Sequence, residues 1–217
     1  MATLTAQWAL DCVALAPTAP AEMVAETGAA LLARWCEPAR KYHTTNHLQE
    51  VLGALAELVL AGELPVAEEP LARAAAWGHD AVYDVAEPAG NEAASATLMA
   101  ELLTQLSVPK ATVTEVSRLI RASERHDLPS GDDKAGATFH DADLWILSAP
   151  RPRFEEYCRQ VREEYHGIPE DRYAAARAAI LHRLADRPRL YATTHAQDRW
   201  APAAAANLRR ELARLGG

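Results

Sequence analysis

The chain is short of the features that mark several functional classes. Its three cysteines, Cys12, Cys36 and Cys158, are far apart, odd in number and without a CxxC pair. That usage argues against a disulfide framework and a cysteine-built zinc site, and for a reducing compartment. No apolar run approaches the roughly 20 residues that span a bilayer, and the first twenty residues lack the basic opening of a secretory signal. A cytoplasmic protein without a membrane partner is expected. Basic residues are scarce early: residues 1–110 carry 5 Lys and Arg against 14 Asp and Glu, and the whole chain has a formal net charge of -8. Such an acidic balance offers no footprint for tracking a long nucleic acid. The late cations, 17 against 16 acids after residue 110, read mostly as solvated helix faces with i, i+4 partners, a few being available to an anionic substrate.

Also missing are alternating apolar patterns and β-branched clusters bounded by turns. What is present is helical spacing of apolar residues within a composition that is 49% hydrophobic, so the expected fold class is all-α. At 217 residues one domain is expected. Val24, Leu31, Leu32 and Trp35 define a helix over 20–37, with Pro20 in its first turn. Thr44 or Thr45 caps a second, running to Gly62 through Leu48, Val51, Leu52, Leu55 and Leu58, with His47 in its first turn. Further helices are expected over 68–77, 91–106, from 109 (Val113, Val116, Leu119, Ile120) and from about 138. A polar loop separates the last two at 127–133. Three more fall near 152–166, 170–186 and 199–215. No internal repeat or low-complexity tract interrupts this organisation.

Three segments hold the residues suited to chemistry: Tyr42-His43-Thr44-Thr45-Asn46-His47, Trp77-Gly78-His79-Asp80 and Phe139-His140-Asp141-Ala142-Asp143. Imidazole and carboxylate ligands suit Mn, Fe, Ni or Zn, and two His with two Asp leave coordination positions for water and substrate. Ligands from separate helices converge only in a bundle core. The His-Asp dipeptide alone is uninformative, for it occurs at 79, 126 and 140. Context separates the three. His79-Asp80 follows an apolar helix and should face the interior, where an unpaired acid is costly unless a metal is ligated. His126-Asp127 borders the polar loop and reads as surface. Only one of Asp141 and Asp143 is expected to face the core.

The order His47, His79-Asp80, Asp143, with the Tyr-His-x-x-x-His opening and the Ala-Asp-Leu step at 142–144, resembles the HD-domain metal-dependent phosphohydrolases, and among them a branch of small hydrolases. Asn91-Glu92 with Ser95, Tyr157, the run Arg162 to Tyr165, Tyr191 and Asn207-Leu208 also look like that branch. The resemblance implies an HD-like helical core over about 40–150, a helical extension over 151–217, and hydrolysis of a nucleotide or other small phosphate ester. It implies metal ligands at His47, His79, Asp80 and Asp143, with Asp141 as the alternative to Asp143, and one or two divalent metals, Mn or Fe ahead of Mg, Ni or Zn.

Candidate catalytic residues are His43, for protonating the leaving oxygen, Asp80, for orienting the water, and Glu92, as a second acid or to hold the nucleophilic water. Two neutral His, two carboxylates and one dication sum to about zero, so further cations are needed for a phosphate dianion. Arg40 and Lys41 are the nearest in sequence, Arg118, Arg121 and Arg125 share one helix face, and Asn91 and His126 complete the candidate substrate-binding set. His126 also keeps a di-iron oxygenase in play, with a non-catalytic sensing module as a further alternative. The C-terminal helices either wall the pocket or form a homodimer interface.

Overall fold

Cap chemistry in the sequence sets where most helices begin. In the computed structural model, which describes residues 3–216, these are α1 (Leu4–Leu15), α2 (Ala21–Trp35), α3 (Thr45–Leu60), α4 (Glu69–Gly78), α5 (Asn91–Gln105), α6 (Lys110–Ala122) and α7 (Lys134–Asp143). A 3-10 turn (Leu144–Ser148) follows, then α8 (Arg151–Glu164), α9 (Glu170–Ala185), α10 (Thr194–Arg199) and α11 (Ala201–Arg214). The described residues contain no strand. Thr44, Asp133 and Thr193 accept from the backbone N–H two or three residues on, at 3.3, 2.8 and 3.2 Å, supplying acceptors for donors that have no partner inside the helix. Pro20, Pro109, Pro150 and Pro169 precede α2, α6, α8 and α9.

Three elements depart from the sequence expectation, one of them the six-residue α10, which was not anticipated. The sixth expected helix starts at Lys134, a turn earlier than 138, because Asp133 caps it. α1 was not anticipated, and it is a structural clamp. Buried Asp11 accepts from Arg73 Nε and Nη2 at 2.7 and 3.1 Å and from Trp77 Nε1 at 2.7 Å. It thereby ties α1 to the last turn of α4, directly before His79.

α4 lies at the centre, packed against α1, α3, α6 and α7. Its run Ala74, Ala75, Ala76 is fully buried, and these small side chains let neighbouring backbones come close. Gly78 is required for the same reason: a Cβ there would stand 2.8 Å from Ile120 Cδ1 on α6 and 2.8 Å from Met99 Cγ on α5. Trp35 Nε1 donates to Trp77 O at 3.0 Å, fixing the same turn from α2. The buried apolar residues form one cluster running from Trp8 to Leu212, and each fully buried Leu within it contributes about 1.5–3 kcal/mol. α11 packs on the 3-10 turn, α8 and α9. No helix among the described residues is long and apolar enough to cross a membrane.

Replacing Asp11 with Ala leaves the Trp77 indole N–H buried without an acceptor and the Arg73 charge with only Glu69, 3.8 Å away. A loss of about 3 kcal/mol is expected, read from urea unfolding midpoints at unchanged m. A loss below about 1 kcal/mol would show that α1 is dispensable for holding α4.

Candidate metal centre

Three mutually packed helices deliver the central residues. His47 lies in the first turn of α3, His79 and Asp80 follow α4, and Asp143 ends α7. His47 Nε2 and His79 Nε2 face each other at 3.1 Å. Asp80 Oδ2 lies 3.1 Å from His79 Nε2 and 3.7 Å from His47 Nε2, and Asp143 Oδ1 lies 3.3 and 3.4 Å from the same nitrogens. One ligand atom from each of His47, His79 and Asp80 falls within 4.8 Å of the other two, a grouping that could hold a metal ion.

The outer nitrogens determine what the inner ones can do. His79 Nδ1 stands 2.9 Å from the Ala76 carbonyl, which only accepts, so Nδ1 carries the proton and the neutral ring turns its Nε2 lone pair inward. His47 Nδ1 meets the Tyr42 hydroxyl at 2.9 Å. Burial lowers the His47 pKa. Burial opposes charge on His79 as well, but Asp80 and Asp143 outweigh it and raise that imidazole well above its ordinary value. Despite burial, His79 and its neighbours hold both carboxyls below the usual range. Without metal, one proton on His79 thus faces two carboxylates and a neutral imidazole. Two lone-pair nitrogens and two carboxylates are the donor set of a divalent cation, and a single proton answers only part of it.

His126 adds to this fit. Its Nδ1 lies 3.7 Å from Asp143 Oδ2, buried and without a hydrogen-bond partner, and burial lowers its pKa. The expectation that His126-Asp127 lies at the surface holds for Asp127, whose side chain is 75% exposed. The imidazole of His126 instead turns inward. Its backbone has φ 48°, the left-handed region that non-glycine residues seldom adopt, and its carbonyl is held by His140 Nε2 at 3.0 Å and by Arg187 Nη1. Both acids on α7 are buried, where only one was expected to face the core, and they serve different partners. Asp141 accepts from Ala192 N, Thr193 N and Thr193 Oγ1, each at 2.7 Å, fastening the loop before α10, while Asp143 faces the imidazoles.

His43 precedes α3 rather than belonging to it. Its Nδ1 is 2.8 Å from Glu164 Oε2, its ring stacks on Tyr83 at 3.9 Å, and its Nε2 is 3.9 Å from Asp80 Oδ2. Glu164 Oε1 also accepts from the backbone N–H of Lys41, Tyr42 and His43 at 2.8, 2.9 and 3.0 Å. These bonds and His43 hold its carboxyl below the ordinary value although burial pushes the other way. No role was anticipated for Glu164. The signal that exposes it is an acid on the buried stripe Phe154, Tyr157, Cys158, Val161 of α8, where a carboxylate is tolerated only with partners.

A cavity of about 660 Å³ opens over the site, lined by His43, His47, Asp80, Asn91, Glu92, His126 and Asp143. Burial and the negative charge of Asp80 raise the Glu92 pKa, which suits a proton-holding group. Asn91 is committed elsewhere: its amide exchanges two 3.1 Å bonds with the Asp84 backbone, and Ser95, one turn on, clamps Val82 N and O. Together they shape the loop after Asp80. Neither Arg40 nor Lys41 lines the cavity. The Arg40 guanidinium is taken by the carbonyls of His43, Asp80 and Ala81 at 3.1, 2.6 and 3.0 Å, and Lys41 Nζ lies 3.6 Å from Glu163. Arg118 pairs with Glu115 and Asp133, while Arg121 and Arg125 also lie outside the lining. The cavity's arginines come from α9, at Arg172, Arg177 and Arg183.

Two expectations follow. Asp143→Ala weakens Mn binding at least about tenfold while leaving unfolding free energy within about 1 kcal/mol, whereas Asp141→Ala costs about 3 kcal/mol through stranded N–H groups. Equal behaviour of the two variants in calorimetry and denaturation would contradict this division. Because the raised His79 pKa keeps a proton that a cation must displace, metal uptake near neutral pH releases about one proton and weakens as pH falls. Calorimetry in buffers of different ionisation heat reads this directly, and buffer-independent heats would refute it.

Comparison of the chain with models of known families, with curated proteins and with solved structures finds no match. The geometry by itself supports an all-helical chain with a cluster of His47 and His79, both buried, and half-buried Asp80 that could hold a metal ion.

Proposed function

We propose that the chain is a metal-dependent phosphohydrolase of the HD-domain type, acting on a nucleotide or other small phosphate ester. The observation that carries this reading is the convergence of His47, His79, Asp80 and Asp143, with His47, Asp80 and Asp143 on the cavity floor, His79 buried behind them and His43 on the adjoining wall. The sequence order of these residues, which resembles that family, supports it. A divalent cation bound there would supply Lewis acidity for the phosphoryl oxygens and lower the pKa of a coordinated water.

The protein's own groups then have separable tasks. His79, its Nδ1 proton held by Ala76 O, and His47, braced by Tyr42, present fixed nitrogens. Asp80 stays ionised at the cavity face and orients the attacking water. His43 is aimed by the Glu164 carboxylate at Nδ1, so its Nε2–H can pass to the leaving oxygen as the P–O bond breaks. Glu92, with its raised pKa, is placed to hold a proton on the opposite rim. Arg172 and Arg183 of α9 also line the cavity and are available to the charge of the phosphate.

The test is phosphate release by the Mn-loaded protein from nucleotides and simple phosphate esters. Asp80→Asn should lower turnover by at least about 10³. His43→Gln should cost about 10²–10⁴ with alkyl leaving groups, which need a proton, and far less with p-nitrophenolate, which does not. No phosphate from any ester, with Mn shown to be bound, would overturn the reading. The unpartnered Nδ1 of His126 beside Asp143 favours a second reading, a di-iron oxygenase. Two irons per chain and a visible absorption band in protein purified without added metal would select it.

A further inference from the structure

The cavity has a second end whose chemistry the metal floor does not use. Leu144, Ile146, Val161, Ile180 and Leu184 wall it, and among them stands the guanidinium of Arg177. Its Nη2 donates to Tyr157 Oη, and its Cζ lies 5.1 Å from the centre of the Tyr157 ring. Its Nε is buried without a hydrogen-bond partner, and the side chains that act on it most strongly are Tyr157, Tyr173 and Cys158 rather than a carboxylate. Glu211, the acid whose field reaches this cluster, is already bound by Arg214 at 2.8 and 2.7 Å. Tyr173 is 5% exposed and lines the same space, and its hydroxyl is likewise without a partner. The Tyr157 hydroxyl accepts from Arg177, leaving its own proton to give.

Arg177, Tyr157 and Tyr173 therefore line one cavity with two buried donors, Arg177 Nε–H and Tyr173 O–H, that have no partner, and a third, Tyr157 O–H, left free to donate. A buried donor left unsatisfied costs about 1–3 kcal/mol, and more beside a charge. Several such donors on one wall are expected where a ligand brings the acceptors. The cluster is also close to the metal floor. The Tyr157 ring lies 4.5 Å from that of Tyr42, which lies 4.7 Å from that of His47, so one small molecule in the 660 Å³ cavity can reach both ends.

We infer that Arg177, Tyr157 and Tyr173 form a subsite for an oxyanion carried by the non-reacting end of the substrate, joined to its phosphate by an apolar spacer. The inference rests on the phosphohydrolase reading for the reacting end, and it narrows the substrate class to esters with two anionic groups. Guanidinium and phenol donors take a carboxylate or a second phosphoryl group alike. The apolar walls suit a hydrocarbon or aromatic spacer better than a sugar.

The experiment titrates Mn-loaded full-length protein, by calorimetry, with alkylphosphonates of increasing chain length. Each length is made with a methyl, a carboxylate or a second phosphonate at its far end. At the length that spans the cavity, an oxyanion terminus should bind about 10- to 100-fold tighter than methyl, and the preferred terminus identifies the source. Arg177→Gln should reduce that preference to within about threefold while leaving the methyl compound's affinity unchanged. Tyr173→Phe removes a hydroxyl that nothing in the free protein uses, so its thermal midpoint should hold or rise while the preference falls severalfold. This second variant decides the matter if Arg177→Gln fails to fold. Absence of any phosphonate binding, absence of oxyanion preference, or full preference in both variants would overturn the subsite. Oxyanion preference together with esters that release no phosphate would leave the subsite standing and remove the phosphohydrolase reading instead.

Discussion

The structure depends on two imidazole nitrogens held 3.1 Å apart between two carboxylates, Asp143 buried and Asp80 at the cavity face. In water such a set would drift apart and hydrate. In a protein interior it persists only if the surrounding packing resists expansion and the net negative charge is answered by a proton or a cation. Much of the architecture serves the first condition. Asp11 and Trp35 fix the last turn of α4 from two sides, at Trp77 Nε1 and Trp77 O. Gly78 admits α5 and α6 to contact just before His79, and Arg40 closes three carbonyls around Asp80 and His43.

That role for Arg40 illustrates how a buried cation can serve a site without touching a ligand. Charge-assisted bonds to carbonyls hold backbone more firmly than neutral ones, and here they hold the segments that carry His43 and Asp80. Glu164 is the anionic counterpart: one carboxylate gathers three consecutive backbone N–H groups and the His43 ring. α8 and α9 are therefore part of the site. α8 orients the candidate acid, and α9 supplies the arginines and the apolar lobe of the cavity.

Much of the fold was legible in sequence because helix periodicity and caps are local. The helices after residue 20 appear near their expected positions, the late start of the sixth being corrected by the Asp133 cap. α1 and the six-residue α10 were not read. α1 spreads its apolar residues over a broad face and buries Asp11, so its pattern is weak until Arg73 and Trp77 are brought against it. His47, His79 and Asp80 were legible as ligand types on interior-facing turns. The choice between Asp141 and Asp143 was not, since two acids two residues apart on a helix differ only in what stands opposite each.

The amino-acid sequence by itself determined the helical class, the caps that begin the helices and the presence of a His and Asp ligand set spread over three segments. Those features follow from backbone hydrogen bonding and side-chain spacing within a few residues. Only the tertiary structure decided that Asp143 faces the imidazoles while Asp141 fastens a loop. It also decided that Arg40 binds backbone, that Glu164 aims His43 across 121 residues of chain, and that Arg177 meets Tyr157 at the cavity wall. Each of those outcomes is set by the partner that packing brings within about 3 Å of a charged group, and no local pattern encodes that partner.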